Sequence, residues 1–282
     1  MYVSETHTVG YNVIAYNQTV YGKLDPTTYI NPFRRQQQRP HPPFPKLDPR
    51  VCGKCSVQAS PLTQLSRLTV VLDKDNLIKS GTGFVTANSN ALLQYDLLSV
   101  MPLTDMAFQH ACITLSELKP FSVDIITLDL AASPRLPFHL KRSTVGAALA
   151  NGVVFEITYG DALDPSREVR DVPTARRNLF SNARDLLRVT NGKGVIFSSG
   201  ALAAMSLRAP YDVMNLYVST AKLMSRATLM GMTPTSAKDT LSATCRSLLI
   251  RARTYYLADS RNATNIPRCR VAALGGARRE GR

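Results

Sequence analysis

The runs Val153-Val-Phe-Glu-Ile-Thr-Tyr159 and Val195-Ile-Phe-Ser-Ser199 are short, apolar and rich in β-branched and aromatic residues, and a single helical segment separates them. Runs of this length and composition are typical of β-strands that are buried on both faces. A strand, a helix and a second strand in this order form the unit that connects neighbouring parallel strands. The stretch therefore predicts an α/β fold built on a parallel sheet.

The helix between these strands has recognisable ends. Pro173-Thr174 is a typical start, with Thr174 as the predicted N-cap, and Asn191-Gly192 is a typical end. We predict that this helix packs one apolar face against the sheet, formed by Leu179, Ala183, Leu186 and Leu187.

The remaining chain continues the alternation of strands and helices. Four further runs have strand character, at residues 10–15, 68–73, 97–103 and 123–130. A second helix is predicted from Thr235 to Arg251, with an apolar face formed by Ala237, Leu241, Cys245, Leu248 and Leu249. Together these elements predict one domain over residues 1–258.

Two stretches do not fit a compact alternation. Residues 31–67 are rich in proline and are predicted to form an insertion, and the basic residues 259–282 are predicted to form a disordered tail. The sequence has no run of eighteen apolar residues, so no membrane span is expected.

The charge of the chain is strongly positive and unevenly distributed. The formal net charge is +14 at pH 7. Residues 68–130 carry 3 Lys/Arg and 7 Asp/Glu, whereas residues 131–208 carry 11 Lys/Arg and 6 Asp/Glu. This asymmetry indicates a protein that docks one side onto nucleic acid. The alternative is a basic charge that only aids solubility.

Two carboxylates are candidates for catalysis. Strand alternation places Asp129 and Glu156 toward a barrel interior near Ser198 or Ser199, which leaves open the alternative of a stand-alone metal-dependent phosphoesterase. The four histidines are scattered, so imidazole ligands for a metal are lacking. We therefore interpret Glu156 as a satisfied interior polar residue and predict no catalytic residue, no metal and no cofactor.

The cysteines and glycines add little chemistry. Cys52-Gly-Lys-Cys55 has the spacing of half a zinc site, but no second pair of ligands follows it. The odd count of five cysteines favours a reducing compartment over a disulfide framework. No glycine-rich phosphate loop is present.

Basic side chains accompany the most regular part of the sequence. Arginine guanidinium groups match phosphate oxygens in shape and charge, although any single one could belong to a solvated face. For the set as a whole we predict contact with RNA, through Lys141, Arg142, Arg176, Arg177, Arg184 and Arg208.

Six segments, in this order and spacing, resemble the protein subunit family of about thirty kilodaltons that ribonuclease P and ribonuclease MRP share. They are Leu136-Pro-Phe-His-Leu-Lys-Arg142, Ala150-Asn-Gly-Val-Val-Phe-Glu-Ile-Thr-Tyr159, Arg176-Arg-Asn-Leu-Phe-Ser-Asn-Ala-Arg184, Gly194-Val-Ile-Phe-Ser-Ser-Gly-Ala201, Arg208-Ala-Pro-Tyr-Asp-Val213 and Ala243-Thr-Cys-Arg-Ser-Leu-Leu249.

The resemblance implies a TIM-barrel-like fold similar to the polymerase and histidinol phosphatase (PHP) superfamily, without its metal ligands. It also implies a non-catalytic, RNA-binding subunit of particles that remove 5′ leaders from precursor tRNA and process precursor rRNA. In such particles the RNA carries the catalytic centre, and this family pairs with a small ferredoxin-like protein. Location in the nucleus and nucleolus is expected on the same ground.

The sequence departs from the family in three places. The short acidic strand and helix that usually begin the family are absent before Gly10, so the barrel is expected to lack its first strand unless the true start lies upstream. The insertion at 31–67 is longer than expected, and an extra stretch covers residues 222–229.

Overall fold

The computed structural model describes most of the region that carries these patterns. The described residues are 10–25, 31, 33, 42–45, 48, 62–73, 82–117, 122–162, 171–201, 206–213 and 234–259. Cys52, Cys55, residues 222–229 and residues 260–282 lie outside them, so the predictions made there remain predictions.

Six parallel strands form one sheet in the order of the sequence. They are β1 (Val13–Tyr21), β2 (Thr63–Leu72), β3 (Leu97–Pro102), β4 (Ile125–Thr127), β5 (Val154–Thr158) and β6 (Val195–Ser198). The predicted parallel α/β sheet is confirmed. The predicted end of the insertion at residue 67 is wrong, because residues 63–67 already pair with residues 13–17 of β1.

Helices cover one side of this sheet and close one of its ends. They are α1 (Ser89–Leu92), α2 (Asp105–His110, continued by a π-helical turn at Ala111–Leu115), α3 (Arg142–Ala150), α4 (Val172–Thr190), α5 (Pro234–Leu241) and α6 (Ala243–Asp259). Short 3₁₀ turns lie at Thr86–Asn88 and Gly160–Ala162. Within the described residues, no helix is long and apolar enough to cross a bilayer.

The second predicted helix is two helices, α5 and α6. The chain turns at Ser242, whose hydroxyl donates to the Lys238 carbonyl at 2.7 Å. A serine hydroxyl that competes for helix carbonyls weakens the regular hydrogen-bond ladder, which accounts for the break. The apolar positions continue across Ser242, so the apolar pattern did not reveal it.

Helix α4 begins earlier than predicted and ends where predicted. Its N-cap is Asp171, whose carboxylate accepts from the backbone N–H of Thr174 at 3.3 Å, so the prediction of Thr174 as N-cap is wrong. Asn191 ends the helix in the left-handed conformation, with φ of 53°. The predicted apolar face is confirmed, because Leu179, Ala183, Leu186 and Leu187 are all buried.

The two faces of the sheet have separate cores. The larger core lies between the outer face and helices α2, α3 and α4. On the inner face, one residue from each of five strands forms an apolar inner layer, namely Leu65, Leu97, Ile125, Val154 and Ile196. Leu248 and Ala252 of α6 pack on this layer, so α6 closes the end of the sheet at which the strands begin.

Polar contacts fix α6 in this position. The Arg251 guanidinium donates to the Gly152 carbonyl at 3.0 Å and to the Ser122 hydroxyl at 2.9 Å. It also lies 3.7 Å from the buried carboxylate of Asp124, just before β4. Because Ser122 and Gly152 precede β4 and β5, α6 is tied to the amino ends of two central strands.

The sheet curls strongly. In a flat sheet β1 and β5 would be about 19 Å apart, four steps of about 4.8 Å. Yet the hydroxyl of Tyr11, just before β1, lies 3.4 Å from the hydroxyl of Tyr159, just after β5. It also donates to the Arg208 carbonyl at 3.0 Å. The described strands therefore form a partial barrel, consistent with a TIM-barrel-like fold that lacks a strand.

Candidate nucleic-acid interface

The parallel topology gathers most of the predicted RNA-binding residues at one edge of the sheet. Helix α3 begins after β4, α4 begins after β5, and Arg208 follows β6. Each of these segments leaves the carboxyl end of its strand, and in a parallel sheet those ends lie at the same edge. We call the residues Lys141, Arg142, Arg176, Arg177 and Arg208 the basic edge. All five side chains are exposed.

Arg184 does not belong to the basic edge. It lies in the second half of α4, about 12 Å along the helix axis from Arg176 at 1.5 Å per residue. It is only partly exposed, and its Nε atom is buried without a hydrogen-bond partner. The structure thus separates Arg184 from the five residues that it brings to one edge.

Two basic residues are held at the start of α4 by contacts with neighbouring backbone and side chains. The Arg176 Nε atom donates to the Ala162 carbonyl at 3.1 Å, which ties it to the turn after β5. An Arg177 Nη atom donates to the Thr174 hydroxyl at 3.1 Å. The guanidinium groups are therefore oriented before any ligand binds.

The start of α3 offers a second source of positive potential. Its N-cap is Lys141, whose side chain accepts no hydrogen bond from the first backbone N–H groups of the helix. Unfilled N–H groups at a helix amino terminus favour anions such as phosphate. Lys141 and Arg142 add full charges at this point, so the geometry suits a polyanion.

Arg208 is anchored through its backbone. Its carbonyl accepts from the Tyr11 hydroxyl, and its N–H donates to the Tyr159 hydroxyl at 3.3 Å. Burial, followed by the hydrogen bond to Tyr159, raises the pKa of Tyr11 far above its usual range. Tyr11 therefore remains a protonated donor at physiological pH, and the two tyrosines fix the chain at Arg208.

The interior above the apolar inner layer is polar and internally paired. Two Nη atoms of Arg67 donate to the two carboxylate oxygens of Glu156 at 2.6 and 2.5 Å. Thr127 donates to Glu156 at 2.6 Å, and Arg67 also donates to Ser99 at 3.0 Å. Burial alone would raise the pKa of Glu156, but the charge and hydrogen bonds of Arg67 outweigh it and hold that pKa below its usual range.

The two candidate catalytic carboxylates have different hydrogen-bond partners. Glu156 is 1% exposed and fully engaged by Arg67, which confirms its interpretation as a satisfied interior residue. Asp129 lies beyond β4, where its carboxylate accepts from the N–H of Ala132 at 3.1 Å. Within the described residues no three His, Cys, Asp or Glu side chains are placed to hold a metal ion.

Three important residues were missed by sequence reasoning. Arg67 was missed because the strand was predicted to begin at Leu68. In the structure Arg67 lies two residues from Leu65 and two from Thr69 along β2, so these three side chains share the inner face. That inward alternation was the available signal. Tyr11 and Tyr159 carried none, because their contact joins residues 148 positions apart.

Several known proteins are similar in sequence to this chain. The ribonuclease P protein subunit p30 of Mus musculus is 30% identical over 87% of this chain and 77% of its own length. The probable ribonuclease P protein subunit 3 of Schizosaccharomyces pombe is 34% identical over 59% of this chain and 60% of its own length. Protein GAMETOPHYTE DEFECTIVE 1 of Arabidopsis thaliana is 32% identical over 69% of this chain, but this covers only 28% of that protein.

A solved structure has the same fold. A chain from the cryo-EM structure of archaeal ribonuclease P with mature tRNA superimposes with a TM-score of 0.55, covering 98% of this chain and 95% of that chain at 13% identity. The family model described as RNase P subunit p30 matches residues 2–256. The chain therefore belongs to the RNase P subunit p30 family.

Proposed function

We propose that this protein is an RNA-binding subunit of ribonuclease P that binds the catalytic RNA of the particle along its basic edge and leaves cleavage to that RNA. The observation that supports this most directly is the convergence of Lys141, Arg142, Arg176, Arg177 and Arg208 at the carboxyl edge of the sheet. Family membership supports the assignment to this particle, and the basic edge is the surface that we propose for the RNA.

The non-catalytic part of the proposal rests on the interior of the partial barrel. A hydrolytic site on such a scaffold needs several free ligands or acid/base groups at the strand ends. Here the buried carboxylate of Glu156 is neutralised by Arg67, and Thr127 and Ser99 are used in the same network. A derivation of this barrel from the PHP superfamily belongs to the same proposal.

The wider setting of the subunit belongs to the same proposal. The proposed activity of the holoenzyme is removal of 5′ leaders from precursor tRNA, which this subunit contacts only indirectly. We extend the proposal to ribonuclease MRP and rRNA processing, because a relative in Saccharomyces cerevisiae is named ribonuclease P/MRP protein subunit RPP1. A small ferredoxin-like protein is the proposed neighbour in the particle, and the nucleus and nucleolus are the proposed location.

Affinity purification tests the proposal as a whole. Affinity purification of the tagged full-length chain from cells of its native organism should recover an RNA-containing particle that removes the 5′ leader from precursor tRNA. Nuclease treatment of the particle should abolish cleavage, and the RNA-free chain should not cleave the same substrate. Recovery of neither RNA nor activity would reject the assignment, and cleavage by the RNA-free chain would reject its non-catalytic part.

Paired variants on α4 test the basic edge. Arg176→Ala with Arg177→Ala should weaken binding to the catalytic RNA most at low salt and should lower the salt slope by about 0.7 to 0.9 for each lost phosphate contact. Arg188→Ala is the matched control, because Arg188 lies about 18 Å from Arg176 along the same helix and is 67% exposed. Because the control removes one charge and the paired variant removes two, equal effects per removed charge would show that only general charge matters.

A further inference from the structure

An aromatic side chain stands out from the protein surface beside the basic edge. Tyr211 is 73% exposed, whereas tyrosine rings usually bury most of their surface. It lies three residues after Arg208, in a helical turn at residues 210–213. A single exposed apolar residue needs no explanation by itself, so the argument depends on how this ring is mounted and on what surrounds it.

The segment that carries Tyr211 is held firmly. Both backbone polar groups of Arg208 are bound by tyrosine hydroxyls, as described above. On the other side of the ring, Val213 is 2% exposed, and its N–H donates to the Ala209 carbonyl at 3.0 Å. Tyr211 is thus presented between two fixed points, so a ligand that stacks on it would lose little binding energy to ordering the chain.

The strand ends beneath this segment are also tightly joined. The Gly160 N–H donates to the Ser199 carbonyl at 2.7 Å, and a Cβ at Gly160 would lie 2.3 Å from that carbonyl oxygen. This close approach holds Tyr159 in the place from which it binds Arg208. The segment that carries Tyr211 is therefore connected rigidly, through Arg208 and Tyr159, to the carboxyl edge of the sheet.

The chemistry around the ring indicates what it would bind. Asp212 follows Tyr211 and is exposed, so a phosphate directly at this point would be repelled. Arg208, on the other side, attracts one. A flat aromatic surface with a neighbouring cation suits an unpaired nucleobase whose adjoining phosphate reaches the arginine. Paired bases in a duplex do not expose their faces for such stacking.

We propose that Tyr211 stacks on an unpaired base of the bound RNA, while Arg208 contacts the phosphate next to it. This rests on the proposed function, and it adds that the RNA at this point is single-stranded. Tyr211→Leu removes the ring but keeps an apolar side chain of moderate size, and Tyr211→Phe keeps the ring and removes only the hydroxyl.

Fluorescence anisotropy with the full chain tests the inference. The probes are a labelled single-stranded RNA oligonucleotide and a fully paired RNA duplex of the same length. Tyr211→Leu should weaken binding to the single strand by roughly 5- to 160-fold, the range expected for one stacked base, and should leave duplex binding within about twofold. Tyr211→Phe should bind both probes like the unaltered chain.

The matched control is Tyr21→Leu. Tyr21 is 74% exposed but ends β1, ten residues after Tyr11, which corresponds to about 30 Å of extended chain. Unchanged single-strand affinity in Tyr211→Leu, or an equal loss for both probes, would overturn the stacking. Failure of the unaltered chain to bind either probe would overturn the proposed function as well. Unfolding temperatures equal to that of the unaltered chain would show that the variants are folded.

Discussion

Replacing Arg67 by methionine should destabilise the protein strongly and in a pH-dependent way. The substitution removes the only guanidinium that contacts Glu156 in the described interior and leaves a carboxylate that is 1% exposed without its counter-charge. Breaking a buried ion pair by removing one partner costs about 3 to 5 kcal/mol. At about 2 to 4 °C per kcal/mol for a large domain, the unfolding temperature should fall by roughly 6 to 20 °C.

The pH dependence follows from the pKa of Glu156. In the unaltered chain this pKa lies below its usual range, so the contribution of Glu156 to stability is complete above the unfolded-state pKa and is lost as the pH falls through the folded-state value. Without Arg67, burial dominates and raises the pKa above the unfolded-state value. The variant is then less stable than the unaltered chain at neutral pH, and part of the lost stability returns in acid as Glu156 becomes protonated.

Thermal unfolding followed by circular dichroism at pH 7.5 and pH 5 measures both effects. The difference between Arg67→Met and the unaltered chain should be larger at pH 7.5. The double variant Arg67→Met with Glu156→Leu is the control, and it should regain most of the lost stability because no buried charge remains. The reasoning is refuted if Arg67→Met costs less than about 1 kcal/mol, or if its cost is equal at both pH values and the second change does not reduce it.

Three local predictions concern the ends of elements, and thermal unfolding measures each. Gly160→Ala should cost about 1 to 3 kcal/mol, because its Cβ would lie 2.3 Å from the Ser199 carbonyl oxygen; a loss below about 0.5 kcal/mol would contradict this close approach. Asp171→Ala should cost about 1 kcal/mol through loss of the α4 N-cap, whereas an unchanged unfolding temperature would show that Thr174 or water caps the helix instead. Asn191→Ala should destabilise by about 1 kcal/mol and Asn191→Gly should not, because φ is 53° there; equal effects of the two would argue against the left-handed cap.

The sheet could be predicted from the sequence because its strands are continuous apolar runs. Val154–Thr158 and Val195–Ser198 were found almost to the residue, since strands buried on both faces need apolar side chains at every position. β1 was harder, because it lies at the edge of the described sheet and its residues alternate between exposed and partly buried up to Val20, which is fully buried. The start of β2 was missed because the polar residues Ser66 and Arg67 interrupt the apolar run, with Arg67 on the inner face of the partial barrel.

The basic edge could be predicted only as a set of residue types. Arg176 and Arg184 have the same chemistry and lie on one helix, and only the topology shows that one begins the helix at the strand ends while the other does not. The contacts among Tyr11, Tyr159 and Arg208 depend on the curl of the sheet, which local patterns do not encode. Contacts between residues so far apart in the chain leave no local pattern in the sequence, so they could not be predicted from it.

The position of α6 has a consequence for how the protein is made. About fifty residues separate the end of β6 from Leu248, so at about 5 to 20 residues per second the six strands are synthesised roughly 3 to 10 s before the helix that covers their inner layer. During that interval Leu65, Leu97, Ile125, Val154 and Ile196 have no cover from α6. The nascent chain therefore passes through a stage that presents an apolar opening to chaperones, and a chain that stops before Leu248 remains at that stage.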